Sequence, residues 1–434
     1  MQEVTVGIVG LGNVGGGTIT ILQQNAQQIA AKLGFGLRIG AICSRSVKSR
    51  PVPAGLEGAL VTDNWRDVVA DPKIDIVAEL IGGTGVAREV VESAIDNGKC
   101  VVTANKELIA LEGIDLWQRA ANRGVGLALE ASVCGGIPIH TALREGICGD
   151  RVESVLGILN GTCNFILSEI EKHGTDFDAV LVEAQRLGYA EADPADDVDG
   201  FDARSKLALL TAIAFGVRLE PSRIAMEGIR RVSPIDFLYA RQLGCTIRLL
   251  ASAQRTEDGL FASVRPSLIP LGAALASVSG AYNAVYSKGA FGEDTFYSGR
   301  GAGALPTGVA VVSDLMKLAR DLRFNALQRV SPFGFSTVAQ AAPLDIGAQK
   351  REWYLRFRVA DRLGIIAALS KVLAEHHIGI EAVLQLPDED WRSLPFVITV
   401  EATAEANLRA ALARMAEFDF MAEPPLAMPI EKGL

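Results

Sequence analysis

Histidine and cysteine are scarce in this chain, with four and six residues among 434. The cysteines (Cys43, Cys100, Cys134, Cys148, Cys163, Cys245) are scattered without a Cys-x-x-Cys pair, and no histidine stands at metal-ligand spacing from any of them. That excludes a zinc finger or ribbon and fits reduced, buried thiols in a cytoplasmic protein. No uninterrupted apolar run approaches membrane-spanning length. The first strand is expected almost at Met1, without the basic and apolar regions of a secretory leader. Positive charge is in deficit: 42 Lys and Arg against 51 Asp and Glu give a net charge of −9, which argues against nucleic acid or an anionic membrane as partner. There is no internal repeat, and the 44 glycines are spread rather than gathered into a disordered tract.

What remains is an ordinary globular composition, 49% apolar and 21% charged, long enough for two or three domains. Val4 to Val9 reads as a buried parallel strand. Gly10-Leu11-Gly12-Asn13-Val14-Gly15 follows and opens a helix of about five turns to Lys32. In such a turn Gly10 permits the bend, Gly12 lets a pyrophosphate approach the backbone, and Gly15 brings helix and strand close. A second strand, Leu37 to Cys43, ends in Ser44-Arg45, where an NAD site usually carries an acid. Arg45, with Lys48 and Arg50, suits a ribose 2′-phosphate and hence NADP; plain surface charge is the alternative. Strands over Ile74–Ile81 and from Cys100 end in Gly82-Gly83-Thr84-Gly85 and Thr103-Ala104-Asn105-Lys106-Glu107. Both endings fall where an open α/β sheet places its ligand.

Between Ala184 and Lys206, Glu191 and five aspartates (Asp193, Asp196, Asp197, Asp199, Asp202) crowd one segment. So much like charge is costly unless solvated, paired or used. The chain then turns apolar, so Asp202 and Lys206 are expected on one face of a new helix. A carboxylate there can orient an ammonium group and a lysine can pass protons. A solvated acidic turn is the simpler alternative. A calcium loop fails, because Ala195 and Lys206 would fall at positions one and twelve.

The segment resembles the signature of homoserine dehydrogenases. Its elements here are Ala184, Gly188-Tyr189-Ala190, Asp193-Pro194, Asp197-Val198, Gly200, Asp202 and Lys206. The resemblance implies a NAD(P)-dependent oxidoreductase acting on a CH–OH group. It would interconvert L-homoserine and L-aspartate 4-semialdehyde in threonine, methionine and isoleucine biosynthesis. Lys206 would then be the proton donor or acceptor, Lys106 would face nicotinamide and substrate, and Glu191, Asp197 and Asp202 would bind the substrate. Cofactor contacts would come from residues 10–15, Arg45, Thr84, Lys106 and Gly303, with NADP favoured and NAD also accepted by relatives. Glu130, Val133, Gly135 and Ile137, in the loop Glu130 to Pro138, match a monovalent-cation site (sodium or potassium) made largely of carbonyls; a glycine-rich crossover is the alternative. Asn160-Gly161-Thr162-Cys163-Asn164 resembles a family stretch at the substrate crevice, but a plain turn and cap explains it nearly as well, and no catalytic role follows.

The expected fold is α/β in three parts. Residues 1–135 form a Rossmann-type doubly wound nucleotide domain, completed by 305–327, and residues 136–304 a mixed α+β substrate and dimerisation domain. After a linker at 328–351, residues 352–434 follow the order βαββαβ of a ferredoxin-like module. That module resembles an ACT domain through Asp361, Gly364, Gly379 and Ile380, with Leu363 where the pattern usually has Pro. The ACT resemblance implies L-threonine as effector, and a homodimer or homotetramer is expected. Two rivals differ in class. A sensor pairing nucleotide and amino-acid modules needs neither Lys106 nor Lys206; a dehydrogenase for another amino-acid-derived carbonyl lies nearer.

Overall fold

The computed structural model describes residues 3–45, 54–56, 58–327, 330–386 and 392–433, so Lys48 and Arg50 lie outside the described residues. The chain divides into two compact units. The first comprises Met1–Val152, Ser205–Pro221 and Lys288–Ala341, and the second Glu153–Arg204, Ser222–Ser287 and Ala342–Leu434.

The first unit is built on a parallel sheet. Its strands are β1 (Val4–Val9), β2 (Leu37–Cys43), β3 (Leu60–Thr62), β4 (Ile76–Glu79), β5 (Cys100–Thr103) and β6 (Leu127–Ala128), in the order β3-β2-β1-β4-β5-β6. This is the doubly wound dinucleotide order, with its switch point beside β1. The central strands β1, β4 and β5 are buried throughout, as strands covered on both faces must be. Between them run α1 (Asn13–Gln24), α2 (Ala26–Leu33), α3 (Trp65–Ala70), α4 (Gly85–Asp96) and α5 (Lys106–Arg123). In α4 the buried residues Ala87, Val90, Val91, Ala94 and Ile95 repeat at helical spacing and face the sheet.

The single five-turn helix expected after the glycine turn is two helices. Asn25, at φ −108° and ψ 13°, departs from helical geometry between α1 and α2, a position where asparagine, a weak helix former, is tolerated. The segment expected to complete this unit is a helix from Ala304 to Arg323; Pro306 sits in its first turn, where the missing N–H costs nothing. This helix packs against α1 so closely that the carbonyl of Ala304 fills the space a Cβ of Gly17 would need. The stretch 328–351 carries a short strand, Ala339–Ala341, paired in parallel with Val217–Leu219.

The second unit holds a mixed sheet. Strand Cys245–Arg255 pairs antiparallel with Leu260–Pro270 and with Val152–Ile158. The C-terminal module has strands Lys350–Val359, Ile380–Leu384, Leu394–Ala404 and Leu426–Ile430, with helices Ile365–Glu375 and Glu405–Ala416. Its last strand lies beside its first, which lies beside the third and then the second. That is the ferredoxin-like arrangement. One face of this sheet buries Leu355, Phe357, Phe396, Ile398, Leu369 and Leu408 in a common core. On the other face Tyr354 donates to Asp236 at 2.8 Å and Arg356 pairs with the same buried carboxylate. The module is not a detached bead, since Leu426–Ile430 also pairs with Leu260–Pro270, at Leu268 and Ile430.

Candidate active site

The glycine turn is shaped by what its glycines leave empty. Gly10 has φ +116°, a conformation open to glycine, and a Cβ there would lie 2.5 Å from the Leu80 carbonyl oxygen. A Cβ on Gly15 would sit 2.0 Å from the Gly10 oxygen, whereas one on Gly12 would meet nothing within 4 Å. Gly12 is the N-cap of α1 and leaves the helix start without a side-chain cap, as at helix N-termini suited to phosphate. Arg45 is exposed in the turn after β2. Thr84 is exposed and forms the N-cap of α4, after two glycines with positive φ.

Lys106 was expected at a strand end; it is the first residue of α5, three positions beyond β5. Asn105 caps that helix by accepting from Leu108 N, and its Nδ2 donates to the Gly83 carbonyl at 2.6 Å. It thus ties the Lys106 turn to the glycine loop. Glu79, which sequence reasoning passed over, organises the same region. Fully buried at the end of β4, it accepts from Ile81 N, Gly82 N and the Thr103 hydroxyl. Its only signal in the sequence is an acid closing an apolar strand.

The loop from Glu130 to Pro138 is irregular, with Cys134 at φ +50°. Glu130, Val133 and Ile137 are buried. The Glu130 carboxylate is taken up by His140 N, Thr141 N and the Thr141 hydroxyl, so a cation here would rely on neutral oxygens. The surroundings offer them: the Thr307 hydroxyl and the Gly301 carbonyl lie 2.5 and 3.2 Å from where a Gly135 Cβ would stand. Asp314 accepts from Glu130 N at 2.8 Å, and burial, then the Glu130 charge, pushes its carboxyl up to about 7. A cavity of about 680 Å³ opens beside this loop and the helix Ala304–Arg323. Among the described residues, no group of three His, Cys, Asp or Glu could hold a metal ion.

In the second unit the acidic stretch is sorted residue by residue. Asp193 accepts from Ala195 N, the first residue of the short helix Ala195–Val198, whose N-cap is Pro194. Asp199 takes a two-pronged pair from Arg230, at 2.6 and 3.0 Å. Asp197 and Asp202 converge on the Asn160 amide, at 2.6 and 2.9 Å. Glu191 stands apart from that pair: it is exposed, and its carbonyl accepts from Gln185. Asp196 is exposed too. Asp202 is only 6% exposed and opens the helix Phe201–Phe215, which carries the half-buried Lys206 one turn later.

A doubly wound nucleotide fold with a lysine beside its glycine loop, and a carboxylate one turn before a second lysine, defines a nicotinamide-dependent oxidoreductase. Comparison with known proteins gives the family. The pattern described as homoserine dehydrogenase matches residues 138–316, its NAD binding domain matches 10–130, and an ACT domain matches 353–417. The chain is 41% identical to the homoserine dehydrogenase of Pseudomonas aeruginosa, over 100% of both chains. It is similar to the crystal structure of a homoserine dehydrogenase from Thiobacillus denitrificans, with TM-score 0.91, 42% identity and 99% of each chain covered. A hyperthermophilic archaeal homoserine dehydrogenase in complex with NADPH matches with TM-score 0.63 and 25% identity, over 73% of this chain and 98% of its own. The chain belongs to the homoserine dehydrogenase family, oxidoreductases of amino-acid biosynthesis that interconvert L-homoserine and L-aspartate 4-semialdehyde. It carries a NAD(P)-binding domain and an ACT domain. Among the described residues, no helix is long and apolar enough to cross a membrane.

Proposed function

We propose that Lys206 is the proton donor and acceptor at the substrate oxygen, oriented by Asp202. The observation that carries this reading is their placement on one helix, with a buried carboxylate one turn ahead of the lysine. The cofactor supplies or accepts the hydride. Lys106 lowers the cost of negative charge developing on the substrate oxygen. Asp197 and Asp202 bind the substrate ammonium, with Glu191 as a further partner. The dinucleotide lies against residues 10–15, Thr84, Lys106 and Gly303, the last with φ +131° at the start of the helix Ala304–Arg323.

Arg45 favours NADP through the 2′-phosphate, and NAD is the second acceptable cofactor. The loop of Glu130, Val133, Gly135 and Ile137 holds a sodium or potassium ion through carbonyl oxygens. The nucleotide domain comprises 1–135 and 305–327, the substrate domain 136–304, and the regulatory module 352–434. That module binds L-threonine in a cytoplasmic homodimer or homotetramer.

The test follows nicotinamide absorbance in the near ultraviolet, with L-aspartate 4-semialdehyde and NADPH or NADH in parallel. Oxidation that depends on the semialdehyde and is lost in Lys206→Ala supports these roles, and the rate ratio decides the cofactor. If saturating L-threonine changes neither rate nor thermal stability of the full chain, the effector assignment is wrong.

A further inference from the structure

We infer that Asn160 is a positioning residue for the reaction, locking Asp197 and Asp202 into one geometry for the substrate ammonium; this rests on the substrate reading above. Asn160 is 5% exposed, at the N-cap of the helix Gly161–His173. Its Oδ1 accepts from Cys163 N at 2.8 Å, and its Nδ2 donates to Asp197 Oδ1 and Asp202 Oδ2. An amide nitrogen has two hydrogens, so its donor capacity is filled by the two carboxylates. The opposite orientation would aim the amide oxygen at two anions and the NH₂ group at a backbone donor, so the amide has one way to sit.

Capping accounts for only half of this arrangement. An N-cap needs an acceptor, and Ser, Thr or Asp serves as well as Asn. The two donated bonds serve the acids: a neutral double donor gives each carboxylate a hydrogen bond and so lets two like charges share a site. The residues that follow hold the same loop by its backbone. Thr162 Oγ1 donates to the Tyr189 carbonyl at 2.7 Å, and Cys163 Sγ to the Asp197 carbonyl at 3.1 Å. The start of one helix thereby fixes the acidic stretch at residues 189, 197 and 202.

Two full-length variants separate cap from clamp. Asn160→Ser keeps the cap acceptor and removes the NH₂ group that donates to both carboxylates at once; Asn160→Asp keeps the acceptor and turns a third carboxylate on the pair. Steady-state kinetics in the homoserine-oxidising direction should show kcat/KM for L-homoserine falling about 10-fold in the first and about 100-fold in the second through a rise in homoserine KM, the span for a hydrogen bond to a charged group. The KM for the nicotinamide cofactor should stay within about twofold. Homoserine KM unchanged in both variants, or homoserine and cofactor KM rising together, overturns the inference. Asp197→Asn and Asp202→Asn are measured alongside. If they leave homoserine KM unchanged, the ammonium-binding reading itself fails. If they raise it while the Asn160 variants do not, the clamp alone fails.

Discussion

The turn between β1 and α1 works by leaving atoms out, whereas the stretch from Glu191 to Asp202 crowds charge in and then gives four of its six acids a defined contact. In the first, side chains are absent so that backbone can approach backbone at Gly15 and a ligand can approach at Gly12. In the second, side chains make the contacts: one aspartate accepts from a backbone amide, one pairs with Arg230, and two share an amide. A site made of empty space is damaged by addition, and a site made of charges by removal.

That contrast orders the experiments. The largest loss should come from removal: Lys206→Ala should lower turnover about 10²–10⁴-fold, the general acid–base range, with little change in cofactor affinity. Near-normal turnover would take Lys206 out of the mechanism. Addition comes next. Gly15→Ala puts a methyl group against the Gly10 carbonyl, and overpacking of about 1–3 kcal/mol should weaken dinucleotide binding about 10- to 100-fold and lower the melting temperature, as calorimetry would show. Gly12→Ala sharpens the comparison. The same methyl group meets nothing in the protein, so the melting temperature should hold while titration shows weaker cofactor binding, by about tenfold for some 1.4 kcal/mol. Equal thermal damage in both variants would erase the distinction between packing glycine and ligand-facing glycine. The smallest effect belongs to Arg45→Ala. Its exposed charge should be worth about 2- to 5-fold in NADPH affinity, the scale of a surface ion pair, with NADH affinity unchanged.

The two regions also differ in how much of them the sequence discloses. β1 and β2 were legible to the residue, because both are rich in Val, Ile and Leu and the glycine turn between β1 and α1 is a local event in consecutive positions. Asp202 and Lys206 were legible too, since one helical turn separates them. The Asn160 clamp was not: its partners lie 37 and 42 positions away, and an asparagine before a helix already has a sufficient local explanation as a cap. Glu79 escaped for the same reason, its Thr103 partner being 24 positions off. The break at Asn25 was missed because apolar periodicity continues across it, while the cost of an asparagine in a helix interior is small.

The pairing of Leu268 with Ile430 bears on synthesis. A ribosome releases the strand Leu260–Pro270 long before it has made Leu426–Ile430; Ser263 and Val264 pair with the earlier Ala225–Met226, but the backbone at Leu268 must wait for its neighbour to emerge. A waiting edge is a template for other chains. A message cut short at codon 426 would therefore yield more than a polypeptide whose ACT module lacks its last strand. It would yield one whose second unit carries an open seam at Leu268, where another chain can pair.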